Sequence, residues 1–263
     1  MSLVFAAIAP HSPALLPTIG KKASAKLKKT RQALTKLEEE LYLSKPQLVV
    51  LISPHASLYE DAFLVNAHTR FGCHFAEFGD VVTTKDWKGA PDFAAKLAHA
   101  ANLNNVPLRQ VSLDTLDYGA GIPLFWLTNH LAEIKVLPVG FSNLSPKEHL
   151  LFGELIHEQV METDTRVAVI ASGDLSHTLT KDAPAGFNKN GQKFDKTLIG
   201  LLEERNTVGV STMDPEVTKS AEQCGYRSIL ILLGILKNMN YSFKNYAYEF
   251  PFGVGYLTGN FVF

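Results

Sequence analysis

The chain has 263 residues, 46% of them hydrophobic and only 19% charged, below the roughly 25% of an ordinary soluble domain. That balance supplies a large core and excludes intrinsic disorder over most of the length. Lysine and arginine number 25 against 26 acidic residues, a formal charge of −1, so no basic excess exists to hold a nucleic-acid backbone.

In chain order, Leu3–Ala9 predicts a buried strand. The run lacks a basic leader and is interrupted by Pro10 and His11, unlike a signal peptide. Ala23–Leu43 reads as one long helix with Leu27, Leu34, Leu37 and Leu41 on one face. Its basic cluster Lys21–Lys29, balanced by Glu38–Glu40, reads as a solvated face. Leu48–Ser53 is a continuous apolar run, expected of a strand covered on both sides. Ala62–Phe75 reads as a strand pair with His68 and His74 at its edges. A helix over Pro91–Leu103, a strand over Arg109–Leu113 and a helix over Pro123–Leu131 that ends near His130 come next. Lys135–Ser142 is a strand, and Pro146 opens a helix at its favoured first position. His99, His149 and His157 fall in amphipathic stretches and are expected to face solvent. Val167–Ala171 is a further central strand, followed by helices over Gln192–Glu204 and Arg227–Lys237. Tyr241–Glu249 and Tyr256–Phe263 close the chain as a hairpin. The alternation predicts an α/β fold: a single-domain three-layer sandwich with a central mixed sheet flanked by helices.

The longest later apolar run, Ile229–Leu236, is too short to cross a bilayer. Cys73 and Cys224, the only cysteines, form neither a disulfide framework nor a four-thiolate zinc site. A reducing cytoplasm is the expected location, with no membrane or nucleic-acid partner.

In open α/β sheets ligands collect at the carboxyl ends of strands. Three predicted strand ends carry a histidine: Pro10-His11-Ser12-Pro13, Ser53-Pro54-His55-Ala56 and Ser172-Gly173-Asp174-Leu175-Ser176-His177. A single histidine after a strand is more often a hydrogen-bonded loop residue than a ligand; three together point to a site. Two imidazoles and one carboxylate leave open positions on ferrous iron, and the same trio can hold zinc with a bound water. The third ligand comes from Glu222 or Cys224, just before the last apolar helix, although a helix cap and a small core residue would look the same. Asp174 and His177, three residues apart, would share one face of a helical turn, a carboxylate-supported general base. A serine-hydrolase elbow is missing around Ser172 and Ser176, and Gly119-Ala120-Gly121 lacks the third glycine of a dinucleotide fingerprint.

The ordered set of Pro10-His11-Ser12-Pro13, Pro54-His55-Ala56, Ser172 to His177 and Glu222-Gln223-Cys224-Gly225 resembles the class III extradiol ring-cleavage dioxygenase catalytic subunits, with the Memo-like proteins as a related branch. The resemblance runs from His11 to about Gly234. It implies metal ligation by His11 and His55 and acid/base work by His177. A glutamate completes the site in the dioxygenases, which points to Glu222; a cysteine followed by glycine does so in the Memo-like branch, which points to Cys224. Asp174 matches the aspartate of that branch, and Tyr118 stands where the dioxygenases often carry a histidine near substrate. The implied function is Fe(II)-dependent opening of a catechol or aminophenol ring by dioxygen. The alternatives are a Memo-like metal-binding protein without ring cleavage, and a zinc hydrolase. The resemblance also implies a homo-oligomer or a small partner subunit.

Overall fold

The computed structural model describes residues 2–263. Among these residues ten strands form one mixed sheet: β1 (Leu3–Ala9), β2 (Leu48–Ser53), β3 (Phe63–Asn66), β4 (Arg70–Phe75), β5 (Asp80–Gly89), β6 (Leu108–Val111), β7 (Lys135–Gly140), β8 (Val167–Ser172), β9 (Ser242–Glu249) and β10 (Tyr256–Val262). The main order is β4-β5-β7-β2-β8-β1-β10-β9, with β3 against β7 and β6 against β3. The centre, β7-β2-β8-β1, is parallel, whereas β10 and β9 complete one side in antiparallel register.

Parallel strands need covering on both faces, and the sequence of β2 (LVVLIS) is buried throughout. Its side chains alternate between two cores. Leu48, Val50 and Ile52 join the larger, under the helices Pro91–Leu103, Pro146–Met161, Lys189–Glu203 and Tyr226–Ile235. Val49 and Leu51 join the other, under the helices Lys28–Leu43 and Tyr118–Leu127. Strand β8 divides in the same way, Val169 to one side and Ile170 to the other. The period of two along a strand builds the three layers.

Several local expectations are corrected. The first long helix is interrupted: Ala23–Leu27 is a 3-10 turn, and the α-helix begins at Lys28. β3 and β4 do not pair with each other; β4 pairs with β5, which carries an exposed polar stretch that hides its strand character. The helix expected to start at Pro123 starts at Tyr118, because Asp117 caps it with a carboxylate bond to the Ala120 N–H. His149 is fully buried rather than solvent-facing, and His157 is half-buried, its Nδ1 donating to the Ile235 carbonyl at 2.7 Å. Both lie on the Pro146–Met161 helix, His157 turned toward the Tyr226–Ile235 helix, and Ser145 and Glu148 start the former with a reciprocal capping box. Among the described residues no helix is long and apolar enough to cross a membrane.

Candidate metal centre

The carboxyl ends of β1, β2 and β8 lie side by side because these strands are parallel neighbours. His11 follows β1 and is buried. Its Nδ1 lies 3.0 Å from Ser172 Oγ, and that hydroxyl donates its one proton to the Gly119 carbonyl at 2.5 Å. Ser172 can therefore only accept from His11, which places the imidazole proton on Nδ1 and leaves Nε2 as a bare lone pair. That lone pair faces His55 Nε2 at 3.1 Å and Cys224 Sγ at 3.6 Å.

His55 leaves β2 beside Tyr118, with the two rings stacked at 4.4 Å and 24°. Its own N–H donates to Ser53 Oγ, and Ser53 Oγ donates to the Asp117 carboxylate at 2.5 Å. The residue that caps the Tyr118–Leu127 helix thus also fixes the loop bearing His55. Gly119 leaves room for this arrangement: a Cβ there would sit 2.9 Å from His55 Cδ2, Ser53 Oγ and Asp117 Oδ1.

Cys224 is held by the chain just after β8. The Asp174 N–H donates to Cys224 Sγ at 3.2 Å, while the N–H groups of Cys224 and Gly225 donate to the Asp174 carbonyl at 3.3 and 2.9 Å. The two segments touch only because both have glycine at the crossing; a Cβ on Gly173 would fall 2.1 Å from the Gly225 Cα. The Asp174 carboxylate turns the other way, accepting the His11 N–H at 3.0 Å with its second oxygen 3.8 Å from His11 Nε2.

Electrostatics favour a cation here. Burial, reinforced by the His177 charge, lowers the pKa of His11 to about 3. Burial of its inner edge, with His11 beside it, lowers His55 to about 4 although the residue reaches solvent. Both imidazoles are thus neutral donors at ordinary pH. Burial and then the nearby Asp174 carboxylate push the Cys224 thiol up. A bound cation reverses that balance and yields the thiolate. Burial raises Asp174 to about 6 and Tyr118 to about 12, so the phenol is no proton shuttle.

One donor atom each from His11, His55 and Cys224 fall within 4.8 Å of one another. Donors on a tetrahedral ion with bonds of about 2.0–2.3 Å sit roughly 3.3–3.7 Å apart. The 3.6 Å separation of His11 Nε2 and Cys224 Sγ falls in that range, the 3.1 Å separation of the two imidazole nitrogens is slightly shorter, and a shared ion would draw the three donors to its own spacing. Glu222 lies outside this set. It turns at φ 50° after the Pro215–Ser220 helix, which leaves its side chain exposed and presents its carbonyl to His177. Asp174 and His177 are not on a helical turn: Leu175 bonds to Gly255 and His177 to Ala221 through their backbones, so the two side chains are not stacked on one face. His177 Nδ1 donates to the Glu222 carbonyl, leaving its Nε2 free to accept a proton. Ser53 and Ser172 stand in the strand-end motifs without an assigned role, and the structure makes them the groups that orient the two histidines. Their signal is present, since each is the last residue of a central strand, where a short hydroxyl reaches back to the site loops.

A central mixed sheet with metal-capable residues at its carboxyl ends defines an α/β protein with a candidate metal centre at the head of its parallel strands. The family described as the catalytic LigB subunit of aromatic ring-opening dioxygenase matches residues 5–259, and the chain belongs to that family. It is 28% identical over 265 residues to Protein CA_C1420 of Clostridium acetobutylicum, an alignment covering 97% of this chain and 57% of that protein. The chain thus spans little more than half the length of that relative. The fold is shared with an uncharacterized protein, JW3007 of Escherichia coli K12, at a TM-score of 0.69 and 16% identity, covering 98% of this chain and 99% of the other.

Proposed function

We propose that the chain binds one transition-metal ion through His11 Nε2, His55 Nε2 and Cys224 Sγ, as a Memo-like member of the family in which a thiolate replaces the carboxylate ligand. The carrying observation is the donor set itself, two neutral imidazoles and a cysteine within 4.8 Å of one another. A thiolate with two imidazoles is a soft set, which favours zinc or copper(I) over ferrous iron. Bound metal would supply Lewis acidity at an open position. The chain's own residues hold the set: Ser172 fixes the His11 tautomer, Tyr118 backs the His55 ring, and the Asp174 N–H faces the sulfur.

Family membership favours a second reading, Fe(II)-dependent opening of a catechol or aminophenol ring by dioxygen. His177, with Nε2 free, would take the substrate proton, and the Asp174 carboxylate would stand beside His11. Anaerobic purification, metal analysis and reconstitution separate the readings. Stoichiometric zinc or copper, lost in Cys224→Ala and kept in Glu222→Ala, is the expected result. Iron-dependent oxygen uptake with a catechol or aminophenol, abolished by His177→Ala, would overturn it in favour of ring cleavage. Zinc-dependent ester hydrolysis without oxygen uptake would instead identify a hydrolase.

A further inference from the structure

Beside the metal set lies a cavity of about 490 Å³ whose wall includes Cys224, within the size range of small-molecule sites. It runs under the N-terminal turn of the Tyr226–Ile235 helix, between Phe141 and the Pro215–Ser220 helix. Two features of its lining are unpaired.

The first is Arg227, half-buried, with its guanidinium 5.5 Å from the centre of the Phe141 ring. One terminal nitrogen donates to Asn143 Oδ1 at 2.7 Å. Among the described residues no carboxylate forms an ion pair with Arg227, and its remaining N–H groups have no protein acceptor. Asn143 and Phe141 therefore hold the fork at the cavity wall while its Nε and second terminal nitrogen have no protein acceptor. That is the geometry a carboxylate meets with two parallel bonds. The ten-residue helix that begins at Tyr226 adds the positive end of its dipole.

The second is His149, which backs the same wall with no surface open to the cavity. Its Nδ1–H donates to the Ser145 carbonyl at 2.8 Å, so its Nε2 is a lone pair, and that atom has no hydrogen-bond partner. An unsatisfied buried acceptor is costly and unusual in an interior wall. At the mouth Lys219 and Glu222 are both exposed and offset each other's charge, which leaves Arg227 as the fixed charge inside.

We propose that this cavity is a binding site for a small organic acid, whose carboxylate pairs with the free edge of Arg227 while its body lies against Phe141 and extends toward Cys224. The site stands on Arg227 and the cavity alone and does not depend on which metal the neighbouring ligands hold.

The test is calorimetric titration of the full chain, with and without added zinc, using benzoate and its neutral isostere benzamide as probes. Benzoate is expected to bind at least about tenfold more tightly than benzamide, the scale of one charge-assisted pair. Arg227→Gln should remove that preference, Arg227→Lys should keep part of it, and Lys219→Gln should change it by less than about twofold. The 15N signals of the His149 ring should shift on saturation with benzoate, which places the probe inside rather than at the rim. Equal affinity for the two probes, no binding of either, or unchanged benzoate binding in Arg227→Gln would overturn the proposal. So would loss of the preference in Lys219→Gln. The benzoate-to-benzamide ratio on the unaltered chain decides even if an Arg227 variant fails to fold. The zinc-free titration keeps failure of the acid site distinguishable from failure of the metal ligands.

Discussion

His11 and His149 are both buried, both held neutral by desolvation, and both commit the Nδ1 proton to a serine oxygen, Ser172 Oγ for one and the Ser145 carbonyl for the other. Each ring therefore presents a bare Nε2. Around His11 that atom meets two further donors from different loops, whereas around His149 it meets no partner. Burial and a fixed tautomer prepare a histidine to act as a ligand, but only converging loops make a metal site. The loops converge at the carboxyl ends of β1, β2 and β8 because parallel neighbours bring their ends together. His149 lies on a helix against the rings of Phe63 and Phe141, and although Phe141 directly follows β7, neither ring offers a second donor.

Removing a donor from the convergent region has the largest expected effect. Cys224→Ala should lower metal affinity by more than about 100-fold, beyond the roughly 10–100-fold typical of losing an outer partner. Glu222→Ala should leave affinity within about twofold, since its side chain points to solvent. Competition against a chromogenic chelator reads both. Equal losses in the two variants would remove the distinction between a ligand and a rim residue.

Ser172→Ala comes next. The substitution frees His11 to place its proton on either nitrogen and deprives a buried N–H and the Gly119 carbonyl of their shared partner. Metal affinity should fall about 10–100-fold with the ligands intact, and the metal-free protein should lose about 1–3 kcal/mol in chemical denaturation. Ser172→Thr keeps the hydroxyl and should restore part of the affinity.

What is legible in the sequence follows from the same comparison. Strand identity is legible wherever a strand is buried on both faces, as in β2 and β8, because no polar residue interrupts the run. The polar, exposed face of β5 carries no such signal. His11 and His55 are legible as ligand candidates because each follows a strand end directly. The choice between Glu222 and Cys224, two residues apart, is not. It depends on the left-handed turn at Glu222 and on the glycine contact at Gly173 and Gly225, which reverse which side chain faces inward. The burial of His149 is hidden because amphipathic spacing marks the buried side of a helix by its apolar residues, and a histidine among them carries no sign of its own.

The two regions also predict a common pH response in the metal-free chain. His11, with a folded pKa of about 3, and His149, at about 4, bind fewer protons than their unfolded forms, whose pKa is about 6.5. Stability from them is complete above pH 6.5 and is lost as pH falls toward 4. Asp174 and Asp195, both raised to about 6 chiefly by burial, act oppositely: their contribution is greatest in acid and declines as pH rises through 6. From pH 6 to 7 the carboxyl contribution fades while His11, His149 and His55, the last also lowered to about 4, still contribute the larger opposite slope, so urea midpoints should rise from pH 6 to 7 and flatten above it. Between pH 4 and 6 the opposing carboxyls should make the rise shallower. A midpoint that falls from pH 6 to 7 would show that these imidazoles are charged in the folded chain.

His149→Phe has the smallest expected effect and probes the region without a second donor. The change removes a buried Nε2 that has no partner, which should stabilise, and one hydrogen bond to the Ser145 carbonyl, which should cost about 1 kcal/mol. That carbonyl keeps the N–H groups of Glu148 and His149 as partners, so it is not left bare. The two contributions nearly offset, and the melting temperature should move by less than about 4 °C. Metal content should not change, because His149 Nε2 touches none of the donors around His11. A variant that lost metal would place His149 among the groups that orient the Cys224 loop through the shared cavity wall, and the two regions would then be one site.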